Sequence, residues 1–413
     1  MVAAYHLNRA HDVTVFEAAA HAGGHTNTVD VDYQGREYAV DTGFIVYNDW
    51  TYPNFIRLLD ALEVPWQPSR MSFSVRCEKS GLEYNGTSIN SLFAQRSNIA
   101  RPSFLRMVAD ILRFNRRAPR LLQTPADGTT LSEYLDREGY SKYFVDHYII
   151  PMGAAIWSSR PVDMLRFPAR FFVEFFANHG FLSVSDRPTW RVIEGGSREY
   201  VKKLTASYAR RVRLNTPVAS LQRQPQRVVV RLKDGAVEHF DQVFIACHSD
   251  HALKLLSDPS REEREILGAI PYQANEALLH TDQSLMPHRP LAWAAWNYHL
   301  PIEEHGLVTV TYNMNILQSL SAPAQFLLTL NRGDAVDPRK VLGRYVYHHP
   351  VYTSEAVAAQ GRRHEINGVR RTYYCGAYWS CGFHEDGVKS ALASLEEFRR
   401  RQKHEQPNLQ RVG

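Results

Sequence analysis

The residues with the clearest capacity for chemistry lie near the C-terminus, where Gly376, Gly382 and Gly387 frame Trp379, Cys381, Phe383, His384, Glu385 and Asp386. Residues 371–375 alternate like a strand and 388–398 carry the apolar period of a helix, so the glycines and the Glu-Asp pair occupy a strand-to-helix turn. Such a turn aims backbone N–H groups from a helix start into a cleft. Phosphate, or the electron-rich edge of a flavin ring, suits it, because the helix dipole and the unpaired donors favour negative charge. An ordinary capped helix has the same signature, and the turn alone decides nothing.

The elements that would position this turn begin at the other end of the chain. Residues 1–10 read as a helix, 13–16 as a strand, and Glu17 stands at the strand's tip. In a dinucleotide-binding βαβ unit this is the back half, with the acidic residue placed for ribose hydroxyls. A first strand and its glycine loop would have to precede Met1 by roughly a dozen residues, so the expectation is a truncated reading frame or a misassigned start. Taken alone, Glu17 reads equally as an incidental glutamate at a strand end. It is followed by Gly23, Gly24 and His25, and then by Asp41 and Gly43.

With these residues in place the sequence resembles the flavin-dependent amine oxidase superfamily, which includes monoamine oxidases, protoporphyrinogen oxidases and carotenoid desaturases. That family follows the ribose glutamate with a Gly-Gly-(Arg/His) segment and an Asp-x-Gly segment, matched here by Glu17, Gly23, Gly24, His25, Asp41 and Gly43. Residues 190–197 look like the segment where the chain returns to the flavin domain. Residues 214–218 are similar to the strand whose backbone contacts adenine, which makes Val218 the candidate there. Residues 241–247 look like the strand closing that segment, and 373–390 match the final flavin turn with Gly376, Gly382, Glu385, Asp386 and Gly387. The wording of 279–287, 293–298 and 382–387 is closest to a bacterial subgroup described as predicted NAD/FAD-binding proteins.

The resemblance implies FAD as cofactor and an α/β fold: a Rossmann-like FAD-binding domain of the glutathione-reductase/amine-oxidase type, discontinuous in sequence, with an α+β substrate domain. The FAD-binding domain is expected from 1–52, 190–252 and 365–398, the substrate domain from 53–189 and 253–364, and a polar, frayed tail from 399–413. Within the substrate portion, 54–62, 105–114 and 131–135 have helical spacing, the last capped by Thr129 or Thr130, and 74–77 with 82–84 read as a hairpin over or beside the site.

A flavin performs the redox step itself while the protein supplies orientation, electrostatics and exclusion of water. Trp379 and Phe383, flanking the proposed flavin turn, are the candidates to build an apolar slot for hydride transfer to flavin N5. His280, Asp282, His348 and His349 are candidates for acid–base work, because histidine titrates near neutrality; they read equally as structural hydrogen-bond partners. Many flavin amine oxidases place a lysine near N5, and the matching stretch here, 273–280, has none. A dehydrogenase or desaturase passing its electrons elsewhere fits that departure better than an amine oxidase using oxygen.

Composition narrows the classes. The chain has 413 residues, 44% hydrophobic and 22% charged, enough for two domains with a shared interface. A net charge of +5, spread along the chain, favours anionic ligands and lacks a nucleic-acid footprint. Four cysteines without a CxxC pair make neither a disulfide framework nor a metal site, and no Gly-x-Ser-x-Gly elbow occurs. No apolar run reaches membrane-spanning length and no secretory signal is evident, which points to the cytoplasm. Residues 101–123 carry Arg101, Arg106, Arg113, Arg116, Arg117 and Arg120 among apolar residues. A basic amphipathic helix of this kind either packs its stripe on the protein or makes peripheral contact with the inner membrane face.

Three functional readings follow. The first is an FAD-dependent oxidoreductase taking hydride from an apolar or amphipathic small molecule or lipid. The second is a fatty-acyl desaturase or dehydrogenase linked to cyclopropane-type fatty acid modification, since relatives in the subgroup accompany methyltransferases of that type. The third is a truncated, catalytically impaired flavoprotein.

Overall fold

A computed structural model describes residues 1–125, 127–303 and 306–405. Its largest sheet has seven strands, in the order Val341–Pro350, Tyr272–His280, Leu327–Leu330, Val310–Asn313, Trp296–Leu300, Phe73–Cys77 and Leu82–Asn85. Neighbours run antiparallel except Trp296–Leu300 beside Phe73–Cys77, which are parallel. The hairpin expected at 74–77 and 82–84 therefore forms, as one edge of this sheet.

Helices Pro102–Arg117, Leu131–Arg137, Ile150–Trp157 and Ala169–Asn178 share one core with the sheet, through Phe104, Met107, Phe114 and Phe172 against Val75 and Tyr84. Ile150–Trp157 is buried at every position, as an all-apolar helix must be. Thr130 caps Leu131–Arg137 in a reciprocal box with Glu133. Asp110 is buried within its helix, and the Ser141 amide at 3.0 Å and the Arg113 guanidinium at 3.0 Å compensate its charge.

Two parallel pairs bring remote segments together: Val15–Phe16 with Val212–Arg213, and Val243–Ile245 with Thr372–Tyr374. Each stands as a two-stranded sheet, next to an antiparallel meander of Val218–Arg223, Val228–Leu232 and Val237–Phe240. Parallel pairing needs long crossovers, which is the physical content of a discontinuous α/β unit. The strand expected at 214–218 is not there: Asn215 takes φ 51° and the strand begins only at Val218. A left-handed residue followed by Pro217, which has no N–H to donate, interrupts a ladder at that point.

A second core joins the meander, Ile245 and Tyr374 to Ile266 and Leu267. A third packs Phe55, Leu58 and Leu59 of helix Pro53–Ala61 against Tyr200, Leu204 and Val388. The tail expectation needs correction, because helix His384–Glu405 continues through 399–405. Glu397 pairs with Arg400 at 2.8 Å and Arg401 at 2.6 Å on the next turn, and Phe398 is buried, so the helix keeps both a packed and a charged face. Residues 406–413 of that expectation lie outside the described residues. Among the described residues no helix is long and apolar enough to cross a membrane.

Candidate functional site

A cavity of about 1780 Å3 runs between the two parallel strand pairs and reaches the large sheet at Trp296, Tyr312, Leu328 and Leu330. Pockets for drug-sized ligands occupy about 300–1,000 Å3, so this one has room for a long cofactor with a substrate beside it. At one end lie Glu17, at the tip of Val15–Phe16, and Val218 at the start of the meander. The Glu17 amide extends the ladder to the Arg213 carbonyl at 2.9 Å, and its Oε1 accepts from the Ala19 amide at 2.9 Å, so the carboxylate is held beyond the strand.

In the middle the chain crosses itself. The Phe44 amide donates to the His25 carbonyl at 2.7 Å, and a Cβ at Gly43 would fall 2.1 Å from that same oxygen. Only glycine allows this approach. Gly23, at φ 123°, turns the chain into the crossing. From the opposite side, the His384 ring stacks on Phe44 with centroids 3.9 Å apart, and its Nε2 lies 2.7 Å from the Tyr200 hydroxyl. Tyr200 is in turn 2.9 Å from Thr26 Oγ1, which links both glycine turns to the start of the C-terminal helix.

Imidazoles dominate the wall around this crossing. The His25 ring has Tyr347 at 5.0 Å, His349 at 5.5 Å and His248 at 5.9 Å. Burial holds His25 down at about 4, with His348 adding to the effect, and burial with neighbouring imidazoles holds His248 at about 4 and His349 at about 3. Burial likewise keeps His384 at about 3. These rings are neutral at pH 7, so the wall offers hydrogen-bonding groups without positive charge. Toward the large sheet the lining turns apolar: Trp157, Phe175, Tyr352 and Phe383 join Trp296 and Tyr312, with Phe383 stacked on Phe175 at 4.8 Å. Trp157 Nε1 donates to the Cys381 carbonyl at 3.2 Å, pinning the flavin-type turn to the helical layer.

Of the residues singled out from sequence, Glu17, Gly23, Gly24, His25, Gly43, Val218, His349, Gly376, Gly382, Phe383 and Gly387 all line this one cavity. Others do not. His280 is fully buried in the large sheet, its Nε2 2.7 Å from Thr329 Oγ1 and its Nδ1 accepting the Asp282 amide at 3.0 Å, with no face on the cavity. Asp282 caps the next turn and holds Lys340 at 3.1 Å. The ring of Trp379 lies behind the turn under the Arg363 guanidinium. Asp41 ties the chain to the returning segment, accepting from the Ser197 amide at 2.9 Å and from Thr28 Oγ1 at 2.6 Å. Glu385 caps helix Pro53–Ala61 through the Phe55 amide at 2.8 Å and the Asn54 amide at 3.2 Å, and Asp386 accepts from the Phe383 amide at 3.0 Å. Asp41, Glu385 and Asp386 shape the site from behind its wall.

Sequence reasoning missed His248 and Tyr200 as site residues, and no motif marks them. His384 belonged to the turn singled out from sequence, without the role that its contacts to Phe44 and Tyr200 give it. The strand Tyr272–His280 carries no lysine, and among the described residues the lysines on the cavity wall are Lys233 and Lys254. Sequence spacing suggested no metal ligands, yet His248, Asp250 and His251 bring ligand-type atoms within 4.8 Å of one another. Asp250 is already held by Lys254 at 2.9 Å.

Residues 1–309 match the family described as flavin containing amine oxidoreductase. Among solved structures, the chain is similar to a CLA-producing fatty acid isomerase from P. acnes, with 16% identity, TM-score 0.68, and coverage of 96% of this chain and 95% of that one. It is also similar to cyclohexylamine oxidase from Brevibacterium oxydans IH-35A, with 14% identity, TM-score 0.67 and 96% coverage of both chains. A putrescine oxidase bound to putrescine gives 14% identity, TM-score 0.67 and 96% coverage of both. At these identities the likeness is one of fold. Among curated proteins none matches the sequence.

Proposed function

The chain belongs to the flavin-containing amine oxidoreductase family, and on that premise we propose an FAD-dependent oxidoreductase that removes hydride from an apolar or amphipathic substrate. The single observation that carries this reading is the continuity of one cavity from Glu17, through the His25–Gly43 crossing, to the aromatic wall of Trp157, Phe175 and Phe383.

The donor set fits FAD. Glu17 would accept from ribose hydroxyls, and Gly24, where a Cβ would meet no protein atom within 4 Å, would bring backbone against the cofactor, held there by the His25–Gly43 crossing. Gly387 would do the same at the start of the C-terminal helix, where a Cβ would likewise meet no protein atom within 4 Å. When bound, FAD supplies a two-electron acceptor at its ring. Phe383, Phe175, Trp157 and Tyr352 would exclude water and hold a C–H bond against the ring face. The neutral imidazoles of His25, His248 and His349 would add hydrogen bonds without introducing a cation. Anaerobic photoreduction of the purified, FAD-reconstituted protein, followed by a panel of amines and acyl lipids, tests the reading. A colourless protein that refuses added FAD, or a flavin inert to every member of the panel, counts against it.

A second reading, acyl-chain oxidation or desaturation at a membrane surface, is favoured by helix Pro102–Arg117. Phe104, Met107 and Phe114 pack inward, while Leu105 is 44% and Leu112 55% exposed on a face that also carries Arg106 and Arg116. Apolar side chains flanked by arginines suit an anionic bilayer. The similar fold named for a fatty acid isomerase is compatible with an acyl substrate. Flotation with anionic vesicles, lost in a Leu105→Ser/Leu112→Ser variant, and an altered fatty-acyl profile in a deletion strain would support it; unchanged profiles would remove it.

A further inference from the structure

Asn275 lies in the middle of the strand Tyr272–His280, fully buried, and its side chain meets His349 across the strand pair. Its Nδ2 is 3.1 Å from His349 Nδ1, 3.0 Å from the Ser158 carbonyl and 3.3 Å from the Gln273 carbonyl. Its Oδ1 accepts from Asn331 Nδ2 at 2.8 Å. Asn331 is itself locked, since its Nδ2 also donates to the Val308 carbonyl at 2.9 Å and its Oδ1 accepts the Glu276 amide at 3.0 Å.

Backbone groups cannot reverse their polarity, so this chain has one direction. Turning over either amide would set oxygen against the Ser158 or Val308 carbonyl, and nitrogen against the Glu276 N–H. Buried polar groups left so mismatched cost about 1–3 kcal/mol each. With the amide held this way, a proton on His349 Nδ1 would point at an amide nitrogen that has no lone pair to accept it, so Nδ1 faces Asn275 Nδ2 as the acceptor. A ring nitrogen that accepts carries no proton, and in a neutral imidazole the proton then sits on the other nitrogen. His349 Nε2 makes no hydrogen bond to any described residue, and the ring lines the cavity.

We propose that Asn275 is a positioning residue: relayed from the Glu276 amide through Asn331, it fixes His349 as the Nε2–H tautomer. His349 thereby presents a donor to the cavity and selects a ligand with an oxygen acceptor, a carboxylate or carbonyl, over an alkylammonium. The ligand half of this statement rests on the apolar-substrate reading above; the tautomer half does not. Burial, together with His25, His248 and His348, keeps the ring neutral, so the donor is present across the physiological range.

The test uses the full chain labelled with 15N-histidine, with His349 assigned by comparison with His349→Gln. The expected wild-type spectrum shows His349 Nδ1 at the shift of an unprotonated ring nitrogen and Nε2 at that of a protonated one. The reverse pattern, or an averaged one, overturns the proposal whatever the protein's activity. Asn275→Asp puts an acceptor where the donor stood, and the proton should move to Nδ1. In calorimetry with the FAD-reconstituted protein, dodecanoate should bind the wild type at least about tenfold more tightly than dodecylamine, and Asn275→Asp should reverse that order. A correct wild-type tautomer with no preference between the two probes overturns the ligand selection and leaves the relay standing. Should Asn275→Asp not fold, the wild-type spectrum and the wild-type preference still decide both halves.

Discussion

The ring of His384 lies flat on the ring of Phe44, 3.9 Å between centroids and 17° between planes. This contact closes the cavity between the turn after Asp41 and the start of the C-terminal helix, and the Tyr200 hydroxyl completes it by bridging His384 and Thr26. Tyr200→Phe keeps the ring and removes the bridge, leaving the buried Thr26 hydroxyl and the half-buried His384 ring short of a partner. The expected loss is about 1–3 kcal/mol of stability, with weakened flavin retention, read from urea denaturation and from the flavin absorbance of the same preparation.

Gly43 has no room for a side chain. A methyl group there would meet the His25 carbonyl at 2.1 Å, so Gly43→Ala must push the two crossing segments apart. Overpacking costs about 1–3 kcal/mol, and the displaced backbone belongs to the proposed flavin wall. A lower melting temperature together with loss of bound flavin is the expected outcome. A variant that melts and binds FAD like the wild type would refute the assignment of this crossing.

Glu385 looks like a cofactor ligand by its motif and acts as the cap of another helix by its contacts. Glu385→Ala should cost about 0.5–2 kcal/mol, the usual worth of a cap, while FAD still binds. Equilibrium unfolding and a flavin titration separate the two roles, since a direct ligand would lose affinity out of proportion to stability.

Stability should fall as the pH drops from about 6.5 toward 4. The rings of His25 and His248 stay neutral to about 4 and those of His349 and His384 to about 3, whereas the unfolded chain takes those protons near 6.5. Where the unfolded state binds more protons, unfolding becomes easier with acid. Asp41 opposes this: burial raises it to about 6, so the native state takes up one proton that the unfolded chain would not bind until near 3.8. Burial raises Asp386 in the same sense, but it also holds His179, His280 and His299 at about 4, so two carboxyls stand against seven imidazoles and the histidines prevail. Urea midpoints measured between about pH 7 and pH 4.5 should decline, and His248→Gln should flatten the decline.

The buried Arg223–Glu263 pair anchors the second core, with both nitrogens of the fork 2.8 Å from the carboxylate oxygens and the Tyr374 hydroxyl bonded to the same group. Glu263→Gln removes one of two countercharges, since Asp258 Oδ1 stays 2.6 Å from the Arg223 Nε. A loss of about 1–3 kcal/mol is expected from chemical denaturation, because the buried guanidinium and the Tyr374 hydroxyl lose a charged acceptor while Asp258 still compensates the arginine.

Local pattern was enough for much of this protein. The hairpin at 74–77 and 82–84 and the helices around 54–62, 105–114 and 131–135 follow from period, caps and turn residues, which act over a few neighbours, while Glu17 and the glycines were singled out by the resemblance of their segments to a family. Those same signals could not tell which motif residues face the cavity. Asp41, Glu385 and Asp386 sit within or beside the matching motifs and turn their carboxylates to backbone amides and hydroxyls elsewhere in the chain, because a buried carboxylate must find donors wherever the packing brings them. His280 was a plausible acid–base group as a residue type, yet the pairing of its strand with Leu327–Leu330 sealed it against Thr329. The ring of imidazoles, the Thr26–Tyr200–His384 bridge and the Asn331–Asn275–His349 relay join residues far apart in the chain. Contacts of that range leave no periodicity to read, and only the closing of the tertiary structure brought them within hydrogen-bonding distance.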